Sequence, residues 1–379
     1  MNNTISEILR EKQLDGNGET YIERMNNISQ ADVERELSKG QGVFSLERLI
    51  TLISPAAKNY IEEMAQQARQ ITIQRFGKTI QFFEPLYVSN FCINSCRYCG
   101  FNRTSDASRT RLTIEEAIAD ADIIASEGFR NILIVSGEDR KYIDTEYLCK
   151  LAEKLRQKFA TISIEIYPMS QEEYHTCITA GIDGLTMFQE TYNSIAYKYY
   201  HPAGPKSDYN FRILSPDRAA SAGMRRLGLG VLLGLCDWRL ETLAMAEHAH
   251  YLMKKYWRSQ VNFSFPRMRP ALNTPHDYKH LVNDVDMVQM MCALRLCFAD
   301  SGIVLSTREP AKFRDNLINI CVTQISAGSK TNPGGYSAEE ASLEQFKIDD
   351  DRSPAQIAEM VKSHGYEAVF KDWDRAFTK

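Results

Sequence analysis

Tyr87-Val-Ser-Asn-Phe-Cys92-Ile-Asn-Ser-Cys96-Arg-Tyr98-Cys99-Gly-Phe101 sets three cysteines at C-x3-C-x2-C spacing directly behind an apolar extended run. Three thiolates that close together grip a soft metal centre and leave one coordination position open. A structural zinc ion wants four protein ligands, and a four-iron electron carrier usually takes a cysteine on each iron. A cluster held here therefore keeps one iron free to bind a small molecule. Two plainer readings exist. A zinc knuckle would borrow a histidine, but the nearest downstream is His175, far outside knuckle spacing. Unrelated core thiols fit poorly beside Asn90, Asn94, Ser95 and Arg97, which give the stretch the composition of a loop.

The run that precedes the cysteines is the first of a series. Short apolar runs recur at 81–88, 132–135, 162–167, 184–188, 227–233, 261–265, 303–306 and, least clearly, 320–326. Amphipathic stretches lie between them, several with helix starts. Thr113-Ile-Glu-Glu116 and Ser170-Gln-Glu-Glu173 are capping boxes. Ser215-Pro216-Asp217 sets a cap, a first-turn proline and a negative charge in sequence. Apolar strands alternating with helices predict a parallel sheet covered on both faces. Eight units close a (β/α)8 TIM-type barrel, which does its chemistry at the C-terminal ends of its strands. The cysteines follow the first strand at that end.

Outside the barrel, residues 1–78 read as a helical N-terminal extension, with apolar residues at helical spacing at Leu46, Leu49, Ile50 and Ile53 and again at Ile61, Met64, Ala65, Ala68 and Ile71. Pro55 suits the first turn of the second of these helices. Residues 79–330 form the expected barrel and 331–379 a polar C-terminal closing segment. That segment contains the acidic run Asp349-Asp-Asp351, read as a solvated face or closing lid, and a last helix from Pro354 to about His364.

A net charge of −4 gives no electrostatic reason to expect nucleic acid or acidic lipid as partner. No apolar run approaches the roughly 20 residues that cross a bilayer. The N-terminus lacks the basic and apolar regions of a signal peptide, so a cytoplasmic protein is expected. Cys149, Cys177, Cys236, Cys292, Cys297 and Cys321 sit mostly in apolar or helical segments and read as reduced core thiols.

The cysteine spacing, with Tyr98 one residue before the last thiol, resembles the signature of the radical S-adenosylmethionine (SAM) enzymes. The resemblance implies a [4Fe-4S] cluster on Cys92, Cys96 and Cys99, with SAM chelated to the free iron. A partial, six-stranded barrel is also common in that family, and the runs at 303–306 and 320–326 favour the complete one. Ser136-Gly137-Glu138, directly after the second run, resembles the family's Gly-Gly-Glu motif with Ser in the first place. A strand-end carbonyl with a nearby carboxylate can accept from the ammonium group of SAM. By the same resemblance Tyr98 packs near the adenine and Glu165 meets the ribose. Arg212 and the pair Asp217-Arg218 are candidates for the methionine carboxylate.

A second constellation points to an amino-acid substrate. In Leu305-Ser306-Thr307-Arg308-Glu309 a guanidinium beside a hydroxyl suits bidentate capture of a carboxylate. With Phe83-Glu-Pro-Leu-Tyr87, Phe188-Gln189-Glu190-Thr191-Tyr192, Asn262-Phe-Ser-Phe-Pro266-Arg-Met-Arg-Pro270, Lys330-Thr-Asn-Pro-Gly-Gly335-Tyr and Lys371-Asp-Trp373-Asp, it resembles the aromatic amino-acid lyases of this group, most closely the tyrosine lyases of thiamine biosynthesis. The resemblance implies that Tyr87, Ser306 and Arg308 hold the amino-acid head group while Gln189 and Glu190 line the pocket. It implies cleavage of L-tyrosine at Cα–Cβ to p-cresol and 2-iminoacetate (dehydroglycine), a thiazole synthase to receive the imine, and a flavodoxin or ferredoxin as reductant. The rivals are the tyrosine lyases of hydrogenase maturation, a tryptophan lyase, and a non-catalytic iron–sulfur or zinc protein. Hydrogenase maturation requires a second cysteine-bound cluster in that family, and no clustered motif follows the first here, so thiamine chemistry is the expectation.

Overall fold

The computed structural model describes residues 3–106, 108–271, 274, 278–337 and 344–371. Eight parallel strands close on themselves: β1 (Thr79–Ser89), β2 (Asn131–Ser136), β3 (Thr161–Glu165), β4 (Gly184–Glu190), β5 (Arg226–Val231), β6 (Gln260–Ser264), β7 (Gly302–Leu305) and β8 (Gln324–Ser326). Strand β1 is the seam, pairing Glu84 with Ile132 of β2 on one side and Gln81 with Gln324 of β8 on the other. The pleat turns Gln81, Phe83, Pro85 and Tyr87 into the barrel. Ile80, Phe82 and Leu86 face outward and are fully buried, so both faces are covered, as a parallel sheet requires.

Strand β8 is shorter than its apolar run. Residues Cys321 and Val322 are buried ahead of it, and Cys321 lends its carbonyl to Arg295 Nη2 at 3.1 Å from the helix Asp284–Cys297. Both capping boxes form. Ser215 does not cap: it lies in the first turn of Ser215–Ser221, where its hydroxyl bonds the Tyr174 hydroxyl instead of a free N–H. Pro55 opens a 3-10 turn, Ala56–Tyr60, ahead of the long helix Ile61–Phe76, because the chain must bend between the two helices.

The helices before Gly77 lie against the barrel helices. Gln289 Nε2 donates to Leu52 O at 3.0 Å and Ser54 O at 2.8 Å, and Arg239 Nε to Ile53 O at 2.8 Å. At the other end of the chain a ninth strand, β9 (Glu367–Val369), absent from the sequence expectation, pairs with β1 at Thr79–Gln81, below β2. Phe370 follows it and packs against Phe82 and Phe129 at 4.9 and 5.2 Å.

The acidic run is solvated at Asp349 and Asp351 but not at its centre. Asp350 is 1% exposed and bonded to Arg314 and Arg352, since a carboxylate can be buried only with cations to answer it. The backbone N–H groups of Asp349 and Asp350 donate to Thr307 O at 3.0 and 3.2 Å, fastening the segment across the C-terminal end of the barrel. Trp373 and its neighbours lie outside the described residues. Among the described residues no helix is long and apolar enough to cross a membrane.

Candidate active site

The cysteine loop leaves β1 at the C-terminal mouth and is held by backbone bonds on three sides. Ile93 N donates to Glu138 O, Ser95 N to Ala203 O and Arg97 N to Tyr200 O, each at 3.0 Å. Asn94, 1% exposed, is the hub. Its Nδ2 donates to Glu138 Oε2 at 2.7 Å and lies 3.7 Å from Cys92 Sγ, while its Oδ1 accepts from Lys206 N at 2.8 Å. Arg109 binds the loop from behind, donating from Nη1 to Asn90 O at 2.6 Å and Phe101 O at 2.8 Å. Gly137 is required where it stands. A Cβ there would lie 2.4 Å from Phe91 O and 3.2 Å from Cys92 Cβ, so only a glycine lets β2 approach the loop.

Below the loop, the barrel interior is one cavity lined by Tyr87, Tyr98, Cys99, Glu165, Glu190, Ser306 and Arg308, all named from the sequence. Cys92 and Cys96 stand on the same loop outside that lining. Ser136, Gly137 and Glu138 flank the loop instead of the cavity, and Ser136 Oγ is buried with no bonding partner among the described residues. Gln189 does not line the cavity. Strand alternation puts Phe188 and Glu190 inside and Gln189 on the other face, 2% exposed, with neither amide atom partnered among the described residues. Arg212 stands behind Glu190, its Nε donating to Phe188 O at 2.7 Å and its Nη2 3.9 Å from Glu190 Oε1. Asp217 and Arg218 are structural: Asp217 takes Lys255 Nζ at 2.9 Å, and Arg218 Nε donates to Met169 O at 2.8 Å.

Several site residues were not legible. Lys206 lies on a proline-flanked loop, yet its Nζ donates to Glu190 Oε1 at 2.6 Å inside the cavity. Gln345 and Phe346 come from the C-terminal segment: Tyr87 Oη donates to Gln345 Oε1 at 2.8 Å, and Arg308 Cζ stacks 3.4 Å from the Phe346 ring centre. His201 Nε2 meets the Tyr98 hydroxyl at 2.8 Å. The only forward signal was their position after expected strands.

Glu190 adopts φ +71°, a left-handed conformation that non-glycine residues rarely hold, at a bulge where β4 meets β5. Burial alone would raise its carboxyl, but Lys206 and Arg212 outweigh it and hold it below its ordinary value. Glu165 has no such bonded partner among the described residues. Burial, then the charge of Glu190, pushes it up to about 7 against the pull of Arg308, Lys206 and Arg212. Burial likewise pushes the Cys96 thiol up, and lifts Cys99 to about 11. A cationic metal centre reverses that balance, since a coordinating thiol is deprotonated outright.

The donor set fits an iron–sulfur cluster and SAM. Three thiols on one loop, an unspent Ser136 hydroxyl and a cavity lined by both carboxylates and cations suit a larger cluster with a zwitterionic organic ligand beneath it.

A thiol triad with one corner open, at the C-terminal mouth of a parallel barrel, defines a radical SAM enzyme. The Radical SAM superfamily model matches residues 86–247, and the Biotin and Thiamin Synthesis associated domain matches residues 264–367. The 2-iminoacetate synthase of Salmonella typhimurium is 39% identical over 352 residues, 93% of either chain, and that of Escherichia coli is 38% identical over the same shares. HydG, a maturase of the [FeFe]-hydrogenase, has the same fold at a TM-score of 0.87 and 33% identity, across 93% of this chain and 79% of that one. The chain belongs to the 2-iminoacetate synthase family of radical SAM enzymes, which use a [4Fe-4S] cluster and SAM.

Proposed function

We propose that this enzyme cleaves the Cα–Cβ bond of L-tyrosine to p-cresol and 2-iminoacetate. The supporting observation is the convergence of Ser306, Arg308, Tyr87 and Glu190 on one cavity beneath the cysteine loop. Cys92, Cys96 and Cys99 would hold the cluster, with Tyr98, Ser136, Gly137, Glu138, Glu165 and Arg212 around SAM. When bound, cluster and SAM supply a hydrogen-abstracting 5′-deoxyadenosyl radical.

The chain's own residues do the rest. The planar Arg308 fork, oriented by its stack on Phe346, binds the substrate carboxylate in bidentate fashion, and the Ser306 hydroxyl supplies a further bond. Glu190, held ionised by Lys206 and Arg212, accepts from the substrate ammonium. Tyr87, anchored to Gln345, fixes the wall beside the head group. The closed barrel and the strap from Gln345 to Asp350 exclude water, which would hydrolyse the imine and quench a radical.

The similarity to 2-iminoacetate synthases over nearly full length favours thiamine over hydrogenase chemistry. On that reading a thiazole synthase takes the imine, a cytoplasmic flavodoxin or ferredoxin supplies electrons, and the chain divides into a helical extension at 1–78, a barrel at 79–330 and a closing segment at 331–379. Anaerobic turnover with tyrosine tests it. p-Cresol and glyoxylate, the hydrolysed imine, are expected in comparable amounts; carbon monoxide trapped in step with p-cresol would refute the thiamine assignment.

A further inference from the structure

Outside the cavity, a patch stands over the cysteine loop that the lyase chemistry does not use. It is built from residues 93–104 and 194–207, tied together by Ser95 N to Ala203 O and Arg97 N to Tyr200 O. Ile93, Ile195 and Tyr199 are 41, 66 and 55% exposed, three large apolar side chains where a free surface would carry polar ones. The same two stretches contain Arg97, Arg103, Lys198 and Lys206 and no Asp or Glu, in a chain whose net charge is −4. Lys206 is turned inward on Glu190; Arg97, Arg103 and Lys198 are exposed and make no ion pair with a described residue. The Arg97 guanidinium lies 4.2 Å from the Tyr199 ring centre, which holds the cation flat against the apolar patch. Asp106 and Asp208 flank it in the chain, Glu138 abuts it through Ile93 N and Asn94 Nδ2, the latter spending that carboxylate inward, and the Glu344 backbone lies beside Gly100.

We infer that this surface docks a small acidic one-electron carrier protein, the reductant of the cluster on Cys92, Cys96 and Cys99. The inference rests on the radical SAM reading. It adds where the electron enters and which charges guide its donor. Ile93 and Arg97 lie between the cysteines in the chain, so a partner seated here is as near the cluster as this surface allows. In the step itself a reduced carrier loses one electron and is oxidised by one level, and a [4Fe-4S] cluster goes from 2+ to 1+; no bond or proton moves. Basic residues around an apolar centre steer an acidic partner and hold it loosely, suiting a donor that must leave after each electron.

The test compares binding of a flavodoxin to wild-type holoenzyme, to Arg97→Glu/Lys198→Glu, and to Arg258→Glu, an exposed charge at the opposite end of the barrel. At low salt the double variant should bind at least tenfold more weakly, a gap that narrows as salt rises, while Arg258→Glu stays within twofold. Flavodoxin-driven p-cresol formation should fall in the double variant, with dithionite-driven turnover and iron content unchanged. Should the double variant fold poorly, Arg97→Gln alone is expected to weaken binding about threefold. Equal affinity in wild type and variants, or equal weakening by Arg258→Glu, would overturn the docking site. Failure of wild type to make p-cresol even with dithionite would instead count against the lyase reading, and the binding comparison would still decide the surface.

Discussion

Lys206→Met removes one partner of a buried ion pair and leaves Glu190 charged in the cavity wall, 2.6 Å from where the ammonium had been. Losing one member of such a pair typically costs about 3–5 kcal/mol, because the remaining charge is desolvated without compensation. Arg212 still stands 3.9 Å away, which favours the lower end, about 3 kcal/mol. An unfolding entropy of about 2.1 cal/mol/K per residue makes that a fall of roughly 4 °C in the melting temperature of a chain this long. The pH dependence gives the sharper signature. In the wild type Glu190 titrates below its ordinary value, so its pairing stabilises the fold above the ordinary carboxylate pKa and is lost as pH falls. Without Lys206 burial dominates, the carboxyl titrates higher, and acid relieves the buried charge. The deficit should therefore be full near about pH 8 and halved or less near about pH 5. Replacing both residues, Lys206→Met with Glu190→Gln, should restore at least half of it. Calorimetry of the cluster-free protein reads the wild type and both variants. A melting temperature equal to wild type at the higher pH, or a deficit that grows on acidification, would refute the account.

Arg308→Lys keeps the charge but loses the planar fork and the stack on Phe346; tyrosine should bind at least tenfold more weakly and SAM cleavage should uncouple from p-cresol, with the cluster spectrum unchanged, as tyrosine titration will show. Gly137→Ala must push Phe91 or Cys92 aside, an overpacking cost of about 1–3 kcal/mol that falls on the first cysteine; iron per chain after anaerobic reconstitution should drop while Ala substituted at Cys177 leaves it intact. Glu165, if it accepts from the SAM ribose, does so best as a carboxylate, so SAM should bind more tightly as pH rises through about 7 and Glu165→Gln should remove that dependence in a binding titration.

The strands and the thiol triad were legible because each is a local pattern: apolar runs for the sheet, fixed spacing for the cysteines. Glu190, Tyr87, Ser306 and Arg308 were found because they end or follow such runs. Gln189 was misplaced by ignoring the two-residue period that its own strand imposes. Asp350 looked like surface because its burial depends on Arg314 and Arg352, residues whose approach no local pattern announces. Lys206, Gln345 and Phe346 share that origin. Each enters the cavity from a loop whose path is set by packing far away in the chain, and the three residues of β9 are too few for a period to show.

Strand β1 carries the cysteines at its upper end and pairs with β9 at its lower one, joining Thr79 to Glu367 across most of the chain. Its other neighbour, β8, also comes late, and Gln345 closes on Tyr87 later still. Contacts of such sequence separation form slowly, and during synthesis they cannot form until the ribosome has released nearly the whole polypeptide. Until then the strand that leads into Cys92, Cys96 and Cys99 has β2 as its one settled strand neighbour. A truncation that spares every cysteine but stops before residue 367 would thus leave the strand that leads into the metal site without a partner at its lower end.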